Sequence, residues 1–166
     1  MTMNELIKER NFLLGSLVYE WICAVESMKY VVNEVERSSG TCETVWMECR
    51  NGNPWQIHDR DIIKKFKNIG TSDRVKCCVK YHQRVIECLE KGVNARDYLM
   101  HKIGAECSQT IPDIRYEGPD TERHCSAIRQ EIEIIERHDS TMRNVAKSMR
   151  RFLEEFEGIS GVVEPC

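Results

Sequence analysis

The sequence predicts an all-α fold, an elongated antiparallel bundle of three long helices plus one short helix. The strongest support is the stretch from Asp120 to Glu157. Its apolar residues fall at Cys125, Ile128, Ile132, Ile135, Met142, Val145, Met149, Phe152 and Phe156. The spacing is mostly threes and fours, the period of one helix face. At 1.5 Å per residue this helix is about 57 Å long, and so long a stripe needs partners of similar length. Residues 4–36 and 72–107 supply them.

Helix 1 is expected from Asn4 to Glu36. Thr2 and Glu5 have capping-box spacing, in which the hydroxyl and the carboxylate each take a backbone N–H at the helix start. Ile7, Leu14, Trp21, Met28 and Val35 recur every seven residues. Ser38-Ser39-Gly40 ends the helix, with Gly40 free to turn left-handed. The link that follows is long for a bundle. Within 41–58, Thr44 to Cys49 has strand propensity and Asn51-Gly52 is a hairpin turn signal. The other reading makes Asn53 a helix cap with Pro54 at the first position. A short helix over Asp59–Asn68 follows, with Ile62, Ile63 and Phe66 on one face and Gly70 as its stop.

Ser72 caps the next long helix, with Asp73 in the first turn. Its expected stripe is Val75, Val79, Ile86, Leu89, Val93, Met100, Ile103 and Cys107, with Gly92 weakening the middle. Residues 108–119 form a loop holding Pro112 and Pro119. The last helix runs to Gly158. The expectation is one helical-bundle domain over 1–158, with the 38–70 link inserted and 159–166 as a flexible tail.

Composition narrows the function classes. Of the 166 residues, 41% are hydrophobic and 31% charged, which excludes bulk disorder and a membrane-embedded body. The start of the chain lacks a basic region followed by an apolar one, so no secretory signal is expected. Nine cysteines form an odd set, several on helix stripes, and read as free thiols. A cytoplasmic or nuclear location follows from these two expectations.

Chemistry-bearing patterns are sparse. Cys42, Cys49 and His58 lie in the link, and Cys78 and His82 share a helix face. The paired spacing of a structural zinc site is absent, so neither metal nor cofactor is expected. No phosphate loop, His-Glu-x-x-His or nucleophile elbow is present. Glu131, Glu133 and Glu136 resemble a carboxylate cluster, but no Glu has a His three residues later, as a di-iron bundle requires. The last helix is interrupted by Arg137-His138-Asp139-Ser140-Thr141, where a stripe residue is due. This is either a polar layer that sets register or oligomer state, or else a local splay or a His138 that snorkels outward.

Two surfaces remain. Helix 1 carries more apolar width than a three-helix core needs, in Leu13, Leu14, Leu17, Val18, Trp21, Ile22 and Val25. Residues 60–84 hold Arg60, Lys64, Lys65, Lys67, Arg74, Lys76, Lys80 and Arg84 against Asp61 and Asp73. The expected function is therefore a non-enzymatic interaction or adaptor module. It would bind another protein, a second copy included, through helix 1 and the link, with Trp21, Trp46 and Trp55 as contacts. The alternative is nucleic-acid binding through the basic segment, with Arg60, Lys64, Lys65, Lys67, Arg74, Lys80 and Arg84 facing phosphates.

Overall fold

The computed structural model describes residues 2–40, 59–103 and 121–160. Among them the chain is an all-α helical bundle with no strand. The helices are α1 (Met3–Ser38), α2 (Asp59–Asn68), α3 (Asp73–Lys76), α4 (Val79–Tyr98) and α5 (Thr121–Ser160). A 3₁₀ turn at Ile69–Thr71 follows α2, and a π-helical segment at Leu99–Ile103 follows α4. The hairpin expected in 41–58, the loop at 108–119 and the end of the tail lie outside the described residues.

Local chemistry sets the boundaries. At the start of α1 the Thr2 N–H donates to the Glu5 carboxylate at 2.7 Å, and the Glu5 N–H donates to the Thr2 hydroxyl at 3.3 Å. This is the expected capping box, and the Thr2 N–H holds the Glu5 carboxyl below its usual range. At the far end Gly40 takes φ 74°, where a side chain would be strained.

The helix expected from Ser72 to Cys107 is divided in the structure. Ser72 has the extended backbone of a cap, but its hydroxyl makes no capping bond. Its carbonyl instead accepts from the Val75 and Lys76 N–H groups. The helix pauses at Cys77-Cys78 and restarts at Val79. The stripe shifts accordingly: Val79 and Met100 are exposed, whereas Cys78, His82, Val85, Leu89, Ala95 and Leu99 are buried. The buried set keeps the helical period but includes a histidine and a cysteine, which a purely apolar pattern passes over.

The chain forms two compact units. The first comprises Met1–Trp21 and Leu89–Asn144. Leu6, Cys125, Ile128 and Ile132 make its core at one end, with Met3, Ile7 and Leu13 packed against them. Here α1 and α5 run parallel: Arg10 meets Glu131, and Glu20 meets Arg143. The second unit comprises Ile22–Cys88 and Val145–Cys166. Its centre is aromatic, with Phe66 edge-on to Phe152 at 5.5 Å and Phe152 stacked on Phe156 at 5.7 Å. In it α4 and α5 run antiparallel, as Cys88 beside Ser148 and His82 beside Phe152 show. All nine apolar positions predicted for the last helix are buried.

Candidate interaction surface

The inward face of α1 is made of Leu6, Arg10, Leu17, Trp21, Ala24, Val25, Met28, Val31, Val32 and Val35. Opposite it lie Phe12, Tyr19 and Tyr30, which are 76%, 68% and 45% exposed. At 3.6 residues per turn these three rings fall within roughly 20° of one line along the helix. Ile22 flanks the line and is also exposed. Gly15 sits beside it with open space where a Cβ would stand.

This divides the wide apolar face expected of helix 1. Leu17, Trp21 and Val25 belong to the protein's own core, and Leu13, Leu14 and Val18 are half-buried. Trp21 is buried, with the Arg96 guanidinium over its ring at 5.5 Å, so it cannot meet a partner without unpacking the first unit. Trp46 and Trp55 lie outside the described residues. The exposed aromatics lie opposite the core stripe, so apolar periodicity alone passes over them. The signal was present: Phe12 and Tyr19 are seven apart, and Tyr30 lies eleven further, three turns on.

Two ionic groups lie within the first unit. Arg10 and Glu131 are both buried and meet at 2.9 Å. Each occupies a stripe position, Arg10 four residues after Leu6 and Glu131 three after Ile128. Opposite charges at inward positions of two helices were a legible sign of a buried pair. Higher up, Arg143 donates to Asp139 at 2.7 Å and to Glu20 at 2.6 Å. The Tyr98 and His138 rings meet at 5.0 Å. The polar interruption of the last helix therefore forms defined contacts inside this unit.

In the second unit His82 is buried between Phe66 and Phe152. Its Nε2–H donates to the Phe66 carbonyl at 2.8 Å, which fixes the tautomer. Burial pushes its pKa below the ordinary value, partly offset by that carbonyl. Gly70 is required beside it, because a Cβ there would come within 2.8 Å of the ring. Burial also raises the pKa of Cys78, with Cys77 and Glu155 adding to the effect, which favours the protonated thiol. His82 and Cys78 thus serve packing. Among the described residues, no group of three or more His, Cys, Asp or Glu side chains could hold a metal ion. Cys42, Cys49 and His58 lie outside them.

The basic segment is split by its neighbours. Arg74 donates to the Glu34 carbonyl and lies over the Phe156 ring, and Lys65 lies near Glu36. Lys76 is paired with Asp73. Lys64, Lys80 and Arg84 are exposed. On α2, Arg60, Lys64 and Lys67 follow one another at four and three residues along a single face. No helix among the described residues is long and apolar enough to cross a membrane. No family model, curated protein or solved structure matches this chain.

Proposed function

We propose that the protein is a non-enzymatic interaction module that binds another protein through the outer face of α1. The observation that carries this reading is the line of exposed rings at Phe12, Tyr19 and Tyr30 on the side of the helix away from its core. A helix needs one buried face to fold. Large exposed rings on the opposite face are not needed for that burial, and such rings are the residue types that anchor interfaces. An adaptor role is consistent with the lack of a catalytic motif in the sequence.

The test is a tagged pull-down from the native cells, with nuclease, comparing the wild type with Phe12→Asp/Tyr30→Asp. Both positions are exposed, so the variant keeps its helicity. A stoichiometric protein retained by the wild type and lost by the variant supports the reading. Equal retention by both contradicts it.

A second reading has its own support in the basic face of α2. Lys64→Glu/Lys67→Glu would abolish a salt-sensitive affinity for nucleic acid, and unchanged binding would remove that reading.

A further inference from the structure

We infer that Cys77 and Cys78 form a redox-sensitive dithiol in the second unit, which closes to a disulfide on oxidation and undoes the start of α4. These two cysteines are the residues between α3 and α4, so the helix breaks at the pair. Cys77 is exposed and Cys78 is buried, and both are free thiols. One sulfur faces solvent while its neighbour in sequence is packed in the core.

In an unbroken helix adjacent side chains diverge by about 100°, and the backbone ladder holds them there. Here the ladder is interrupted. The Cys78 N–H donates to the Val75 carbonyl at 2.9 Å, three residues back rather than four. The Cys78 carbonyl accepts from the Tyr81 and His82 N–H groups at 2.9 and 3.1 Å, and so opens α4. Adjacent Cα atoms lie about 3.8 Å apart, short of the roughly 4.4–6.8 Å of ordinary disulfides. Closing the ring therefore requires the Cys77–Cys78 backbone to rotate, and the strained bond that results is readily reduced again. Both properties suit a reversible switch rather than a structural staple.

The oxidant class is a peroxide. Cys77 meets it first, being exposed, whereas Cys78 is buried and held as the protonated thiol. The Cys77 sulfur attacks one oxygen of hydrogen peroxide. The S–O bond forms, the O–O bond breaks, and water leaves. The Cys78 sulfur then attacks the Cys77 sulfur. The S–S bond forms, the S–O bond breaks, and a second water leaves. Two thiols and one peroxide give one disulfide and two waters, with the sulfurs oxidised and the peroxide oxygens reduced. Adjacency makes this second step intramolecular, which favours it over further oxidation of Cys77. Two molecules of glutathione reverse the closure and leave as their own disulfide.

Rotation at Cys78 takes its sulfur from the core and turns away the carbonyl that receives Tyr81 and His82. His82 lies one turn into α4, between Phe66 and Phe152, with its Nε2 on the Phe66 carbonyl at 2.8 Å. Oxidation thus reaches the aromatic centre of the second unit through the first turn of α4.

The experiment treats the reduced full chain with rising hydrogen peroxide, blocks remaining thiols with N-ethylmaleimide in denaturant, and digests with trypsin. Cleavage after Lys76 and Lys80 releases Cys77-Cys78-Val79-Lys80, which holds both cysteines and no other. This peptide is expected to lose two hydrogens and take up no maleimide. After glutathione treatment of the oxidised protein it should take up two. By circular dichroism the oxidised protein should melt at a lower temperature than the reduced one. Cys77→Ser changes an exposed residue and should show a smaller fall under the same peroxide.

A peptide that carries two maleimides at every dose, an overoxidised Cys77, or a link from this peptide to another cysteine overturns the inference. So does a ring that leaves the melting temperature unchanged, or an equal fall in Cys77→Ser.

Discussion

Replacing Arg10 by Met should destabilise the first unit far more than a surface charge change would. The Glu131 side chain is 5% exposed and its Arg10 partner 11%, with their charged atoms 2.9 Å apart. Removing the guanidinium takes this partner from a buried carboxylate, and breaking such a pair costs about 3–5 kcal/mol. For a chain of this size that corresponds to a fall in melting temperature of roughly 6–20 °C. The double variant Arg10→Met/Glu131→Leu removes both charges and keeps the volume. It should return to wild-type stability or exceed it, because the attraction between buried charges barely repays their desolvation. Thermal and urea unfolding followed by far-UV circular dichroism measures all three proteins. A loss below about 1 kcal/mol for Arg10→Met would refute the reasoning, since that is the scale of an exposed pair.

Arg143 provides the contrast. Its side chain is 43% exposed although it contacts both Asp139 and Glu20, so Arg143→Ala should cost about 1 kcal/mol or less in the same assay. A cost equal to that of Arg10→Met would mean this cluster is dry. Gly70→Ala should destabilise by about 1–3 kcal/mol, because the new methyl meets a His82 ring already held between Phe66 and Phe152. A neutral result would show that the ring can move aside. His82 also couples stability to pH. Its folded pKa lies below the unfolded value, so the unfolded chain takes up the proton first as pH falls. The stability that neutral His82 contributes is fully present above the unfolded value of about 6.5 and is lost as pH drops from there toward the folded value. An NMR titration of the His82 ring with a midpoint at or above the ordinary histidine value would contradict this.

Much of the fold could be read from apolar periodicity, because helix stripes respond to one physical demand, burial. The last helix is the clearest case: each apolar position from Cys125 to Phe156 is inside. The capping box at Thr2 and Glu5, the short helix at Asp59–Asn68 and the left-handed Gly40 were legible for similar local reasons. The pattern failed where burial uses polar side chains. His82 and Cys78 hold inward positions on and beside α4, so the apolar-only stripe settled on exposed Val79 and Met100 instead. The apolar-only stripe also passed over Arg10 and Glu131, because each is costly to bury alone and only their pairing across two helices makes burial tolerable. The candidate surface shows the same lesson in reverse. Trp21 had the composition of a contact residue but the phase of a core residue, whereas Phe12, Tyr19 and Tyr30 had the opposite phase. Periodicity assigns a residue to a face; which face is inward depends on packing against helices distant in sequence.

The central claim is that the outer face of α1 is covered in the working protein. A photo-crosslinking amino acid placed at Tyr19 in the native cells, with a control at Glu154, exposed on α5, tests it most directly. The account predicts a discrete adduct from position 19 and none from position 154. An adduct at twice the chain mass would identify the second copy, and one at another mass would identify a different protein. Absence of any adduct from position 19, or the same adducts from both positions, would contradict the claim.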